Sequence, residues 1–240
     1  MSSLDGLVVV VTGAAGPAGA AACTALRGAG ATVVAVGHSP ARLAALADRL
    51  PGLFVETADL ADADAVQALA TRVREGHGRV DGLIHLVGGW RGGDSFGANT
   101  EADWQFLSAG LIDTLRHTTL AFHDDLVRAP AGRVAIVSAR AAGKPSAGSA
   151  NYAAAKAAAE AWMLALADSF RGTASASASD DGAAAVIFVI KALVTEQMRT
   201  ESPGRKFAGF TDVTDLADRI VELWEADAAE LNGARITLDS

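Results

Sequence analysis

The sequence predicts an α/β fold: a doubly wound parallel sheet of about seven strands with helices on both faces. Three observations carry that expectation. Short runs rich in valine, isoleucine and leucine recur along the 240 residues, and helical patterns lie between them. The runs are continuously apolar rather than alternating, as strands buried on both faces of a parallel sheet require. The composition, 50% hydrophobic, supplies enough apolar surface for a large core.

The first run, LVVVVTG at 7–13, is stopped by glycine, and a helix of small residues follows to about Arg27. ATVVAVG at 31–37 is the second strand. SPARLAALADRL then opens a helix with Ser39 as N-cap and Pro40 at the first helical position, where its missing N–H costs nothing. LFVE at 53–56, GLIHLV at 82–87, RVAIVS at 133–138 and AAVIFVI at 184–190 are further strands, and ARITLD at 234–239 closes the series. No internal repeat and no second domain is visible, so residues 1–240 are expected to form a single domain. GTASASASDD at 172–181 reads as a flexible surface turn.

Charge and cysteine content narrow the function classes. A net charge of −8 argues against a nucleic-acid surface, which needs a basic patch. No apolar run reaches the roughly 18 residues that span a membrane, and the start has neither a basic n-region nor a small-residue cleavage site. The single cysteine, Cys23, reads as a buried structural thiol, and a cytoplasmic protein is expected. His77, His117 and His123 lack metal-ligand spacing, and no metal is expected. His85 reads as a satisfied core histidine. Asp124, Asp125 and the pair at 180–181 read as solvated positions rather than a carboxylate dyad.

Two motifs carry chemistry. In VTGAAGPAGAAA, Gly13, Gly16 and Gly19 follow the first strand and open a helix, with Ala15 and Pro17 between them. Glycine there lets backbone N–H groups approach a pyrophosphate at a helix N-terminus, which makes the expected sheet a Rossmann-type dinucleotide site. The second motif is NYAAAK, where the only tyrosine, Tyr152, precedes Lys156 by four residues. On a helix the two share a face. An ammonium beside a phenol lowers the phenol's pKa, so Tyr152 is expected to donate or accept a proton, with Lys156 as its electrostatic partner. The second strand ends in VGHSPAR, without the carboxylate that NAD enzymes usually place there. His38 and Arg42 instead suit a 2′-phosphate, so NADP is expected, with NAD left open.

With these motifs the whole chain resembles the short-chain dehydrogenase/reductase family. TGAAGPAG is similar to that family's cofactor loop, nearer its extended branch in glycine spacing. Asp59, beside Leu60 in TADLADAD, matches the acid that usually contacts adenine. HLVG at 85–88 occupies the place of Asn-Asn-Ala-Gly and keeps only Gly88, while NYAAAK matches Tyr-x-x-x-Lys. The resemblance implies that Tyr152 is the general acid and that Lys156 also holds the nicotinamide ribose. It further implies a homodimer or homotetramer built on the long helices around 101–127 and 152–170.

The chain departs from that pattern at three places. The usual serine, thirteen residues before the tyrosine, is Ala139. Ser138 lies beside it, on the opposite face if the strand persists, and is kept as a catalytic candidate should the strand twist. The usual asparagine, seven residues after Trp104, is Leu111, and IKAL at 190–193 stands where many members have Pro-Gly. LVGGWRGG at 86–93 together with the serine-less SARAAGKPSAG resembles the dihydropteridine reductase-like branch. A carbonyl reductase needs a donor for charge building on oxygen, whereas a C=N or quinonoid acceptor manages with one proton donor. The expected reaction is therefore NAD(P)H-dependent hydride transfer to a pterin- or imine-like small molecule, or to a carbonyl. A biosynthetic ketoreductase and a catalytically degenerate nucleotide-binding regulator stay open as alternatives. Trp90 and Lys191 are candidate substrate contacts, and the loop Ala192 to Phe210 is a candidate lid.

Overall fold

In the computed structural model, residues 4–173 and 182–238 are described; the 172–181 turn expected from sequence, the acidic pair at 180–181 and the last two residues fall wholly or largely outside them. The seven expected strands all form. They are β1 (Val8–Thr12), β2 (Thr32–Gly37), β3 (Phe54–Thr57), β4 (Gly82–His85), β5 (Arg133–Ala139), β6 (Ala184–Ile190) and, last in the chain, β9 (Arg235–Thr237). The helices between them are α1 (Pro17–Gly28), α2 (Pro40–Arg49), α3 (Ala63–His77), α4 (Glu101–Ser108), α5 (Thr114–Arg128), the short α6 (Arg140–Gly143) and α7 (Ala150–Thr173).

The strands pair in parallel in the order β3-β2-β1-β4-β5-β6-β9. Chain order therefore reverses between β1 and β4, the crevice where open α/β sheets hold ligands. Period-two alternation sorts the strand residues into two cores. Val9, Val11, Val186 and Phe188 face a layer with Cys23, Leu26, Leu43 and Ile220. Val8, Val10, Ile187 and Val189 face the other, with Leu69, Phe122, Met163 and Phe170. Each side chain of this size contributes about 1.5–3 kcal/mol on full burial, which is why the continuous apolar runs settle in the centre of the sheet. Cys23 lies in the first core, where burial pushes its thiol up to about 12.

Past β6 the chain forms a two-stranded parallel ribbon of β7 (Leu193–Val194) and β8 (Thr211–Asp212), with α8 (Glu196–Glu201) between them. The expected loop 192–210 is thus partly helical: Thr195 caps α8 by accepting from Met198 N–H. After β8 come α9 (Val213–Val221) and α10 (Ala228–Leu231). Asp125 corrects the expectation of two solvated aspartates. It is buried between helices and paired with Arg74 at 2.8 Å and Arg128 at 2.7 Å, whereas Asp124 is exposed. Among the described residues no helix is long and apolar enough to cross a membrane, and no group of His, Cys, Asp or Glu is placed to hold a metal ion.

Candidate active site

The ends of β1, β4, β5 and β6 open into one cavity of about 700 Å³. Its floor is the glycine loop. Gly13 has φ +70°, and a Cβ there would sit 2.6 Å from the Leu86 carbonyl oxygen, so only glycine fits between β1 and β4. A Cβ on Gly19 would collide with the Gly13 carbonyl, so the third glycine sets how closely α1 approaches the loop. Gly16, the N-cap of α1, offers no side-chain cap, whereas α2, α3, α4, α8 and α9 are all capped by their N-cap side chains. The uncapped N-terminus faces the cavity and leaves backbone donors for a phosphate, so the loop fits a dinucleotide.

On the flank of this loop, Arg42 Nη2 donates to the Ala15 carbonyl at 2.8 Å, which ties a guanidinium to the loop beside the end of β2. His38 is exposed next to it, and Ser39 is committed to capping α2. Asp59 lies at the end of β3 and accepts from Ala61 N–H at 2.9 Å. Leu60 is buried, with its carbonyl accepting from His117 Nδ1 at 3.0 Å. Ala15, His38, Arg42, Asp59 and Leu60 border the site from outside, whereas Gly13, Gly16, Pro17, Gly19 and Gly88 line the cavity itself.

Tyr152 and Lys156 project into the same cavity from the first turns of α7. Lys156 Nζ donates to the Val137 carbonyl at 2.6 Å and lies 5.9 Å from the centre of the Tyr152 ring. Burial brings the Lys156 ammonium down to about 8, with Glu160 pulling the other way. Burial also pushes the Tyr152 phenol above its ordinary value. This corrects the expected lowering: desolvation governs the phenol here. His85, below them, is buried with its ring nitrogens 2.9 Å from Thr12 Oγ1 and 3.1 Å from Thr114 Oγ1. Burial takes it down to about 3, and it is a neutral structural histidine.

Ser138 is corrected by the same geometry. β5 stays extended to Ala139, so Ser138 points to the face opposite the cavity and donates to Glu160 Oε1 at 2.5 Å. Glu160 is in turn paired with Arg235 at 2.9 Å. Ala139 takes the cavity side with a methyl group. Leu111 lies in a π-helical turn, Ala109–Asp113, that joins α4 to α5, and it packs with Leu107 and Ala155 against Tyr152.

Trp90 lines the cavity but is 64% exposed. Its neighbour Arg91 lies over the Phe106 ring at 4.5 Å. Lys191 lines the opposite rim, donates to the Ala208 carbonyl at 2.8 Å and stands 5.5 Å from the Phe210 ring, which ties it to the segment after α8. Ser146 and Ser149, passed over in sequence in favour of Ser138, line the cavity wall, and so do Thr195 and Met198 from the expected lid loop. The capping pattern Thr195-Glu-Gln-Met could have located one of them; the serines carry no comparable signal.

A family model for short chain dehydrogenases matches residues 7–174. Among solved structures, a short-chain type dehydrogenase/reductase from Mycobacterium ulcerans superposes with a TM-score of 0.86 at 20% identity, covering 99% of this chain and 90% of that one. An NADPH-bound short chain oxidoreductase from Pseudomonas aeruginosa, described as containing an atypical catalytic center, gives 0.84 at 22% identity over 99% and 97%. A short chain dehydrogenase from Shigella flexneri complexed with NADP gives 0.82 at 21% over 98% and 97%. At these identities the structures show a shared fold. Sequence comparison with curated proteins finds no match.

Proposed function

The chain belongs to the short-chain dehydrogenase family, and on that premise we propose that it is an NADPH-dependent reductase of conjugated or imine-like rings, with Tyr152 as the proton donor. The observation that carries this reading is the wall around Tyr152. Its phenol and the Lys156 ammonium share one cavity with the glycine loop; β5 presents the methyl of Ala139 there, and Leu111 packs against Tyr152 without lining the cavity. Such a wall does little for negative charge on a carbonyl oxygen. It suits an acceptor whose charge spreads over a ring or falls on a nitrogen that one phenol protonates, as in the dihydropteridine reductase-like branch.

The dinucleotide supplies the hydride when bound. Its pyrophosphate would be held by the N-terminus of α1 and the loop from Gly13 to Gly19, with Asp59, Leu60 and Gly88 along its adenosine and central portions. Arg42, anchored on Ala15, and His38 would meet a 2′-phosphate, and no carboxylate at the end of β2 repels one. Lys156 holds a positive charge near the Tyr152 ring, and Tyr152, whose phenol burial pushes above its ordinary value, transfers its proton to the reduced ring. Trp90 and Lys191 frame the substrate entrance. Residues 1–240 act as one unit, and assembly through α5 and α7 into a dimer or tetramer accords with this reading.

The test is NADPH consumption with a quinonoid dihydropterin, a cyclic imine and a plain ketone, using Tyr152→Phe as control. The expected result is turnover of one of the first two, falling at least ~100-fold in the variant. Efficient use of the ketone alone, or full turnover by Tyr152→Phe, would refute the reading.

A further inference from the structure

The cavity side of β5 offers Val137 and Ala139 and no hydroxyl, whereas the segment leading into α7 brings two. Ser146 and Ser149 line the cavity together with Tyr152. They bracket a helical turn, Ala147–Ser149, that runs without a break into α7. Ser149 is therefore one turn ahead of Tyr152 on the same face, a separation of about 5–6 Å between side-chain origins.

The two serines form a reciprocal capping box. Ser146 Oγ accepts from the Ser149 backbone N–H, and the two hydroxyl oxygens are 2.8 Å apart. If Ser146 gives its proton to Ser149, the Ser149 O–H keeps only a long bond to the Ser146 carbonyl, 3.4 Å, which a substrate acceptor can replace. The turn is rigidly held. Gly93 N–H donates to the Gly148 carbonyl at 2.8 Å, and a Cβ on Gly148 would collide with the Gly93 carbonyl. Asn99 Nδ2 donates to the Ala147 carbonyl at 2.9 Å, while Asn99 Oδ1 accepts from Asn151 N–H at 3.1 Å. The hydroxyl pair is thus fixed between the Trp90 loop and the start of α7, and a donor fixed in advance costs little to use.

We infer that Ser149, supported by Ser146, is a specificity-determining residue that donates a hydrogen bond to a second acceptor atom on the substrate, apart from the atom that Tyr152 protonates. This rests on the reading above and narrows it: the ring is a heterocycle with at least two acceptors, not a simple cyclic imine. No bond is made or broken at Ser149; it selects and orients.

The test is equilibrium dialysis of two stable flat bicyclic ligands, pterin with several acceptors and quinoline with one, against the whole protein in the presence of NADP. Wild-type protein is expected to prefer pterin. Ser149→Ala and Ser149→Cys should each lower that preference about tenfold, the worth of one hydrogen bond, while Ser149→Thr keeps it. Using the ratio of two ligands, with threonine as rescue, separates loss of the donor from a general loss of fold. The inference is overturned if wild-type protein shows no preference, if Ser149→Ala preserves it, or if threonine fails to restore it. Loss of the reductase reading shows separately, as NADPH consumption indifferent to Tyr152→Phe.

Discussion

Replacing Lys156 by methionine is expected to make the protein more stable at neutral pH. Lys156 Nζ is buried with one carbonyl partner, and its pKa falls from 10.5 to about 8. A lysine depressed in this way holds its proton less well when folded than when unfolded. Between about 8 and 10.5 the unfolded chain keeps a proton that the folded chain has released, so this group makes stability rise with pH through that window. Below about 8 both states are charged and the whole penalty stands, about 3 kcal/mol at ~1.4 kcal/mol per pH unit. Methionine has a similar length and no charge, but it forfeits the bond to Val137, worth about 1–2 kcal/mol. The net gain at pH 7 is then about 1–2 kcal/mol, a rise of a few degrees in Tm for a chain of this size. Near pH 10.5 the gain should vanish or reverse, because the neutral amine no longer carries the penalty. Urea unfolding of both proteins at pH 7 and pH 10 measures the difference, with shared alkaline effects cancelling. A variant less stable than wild type at pH 7, or a difference that does not change with pH, would refute the reasoning.

Two further outcomes follow from the site. Arg42→Ala, which removes the guanidinium on Ala15, should cut the preference for NADPH over NADH about tenfold, read from the ratio of kcat/KM for the two cofactors. Glu160→Gln removes the charge that holds Lys156 up, so its pKa should drop below about 8; the rise of stability with pH should then begin at lower pH, visible in the same urea series.

The strands were legible because a parallel sheet buried on both faces leaves continuous apolar runs such as VVVVT and AAVIFVI. The glycine loop was legible because Gly13 and Gly19 answer to steric limits that no other residue meets. Strand alternation also separated Ser138 from Ala139 correctly, and the catalytic candidacy kept for Ser138 fails because β5 neither twists nor bulges there. What the sequence concealed depends on distant neighbours. The burial of Tyr152 depends on Leu107 and Leu111 arriving from another helix, so local spacing suggested a lowered phenol where the structure raises it. Asp125 looks like a surface carboxylate until Arg74, fifty-one residues earlier, packs onto it. Ser146 and Ser149 gain their position from Gly93 and Asn99, which nothing in SAGSANY announces.

The wide turn at Ala109–Asp113 shifts the angular phase of the helical rod that contains it. Before and within it, Leu107 and Leu111 pack against Tyr152; downstream, Leu115, Phe122 and Leu126 point at the sheet. One continuous element therefore serves two masters. Deleting a single residue there would turn every downstream side chain by about 100°, taking the sheet contacts out of alignment while the Tyr152 side stayed in place. The turn lets the two halves of the rod face different partners, so the packing against Tyr152 can be altered in one half without disturbing the scaffold anchored by the other.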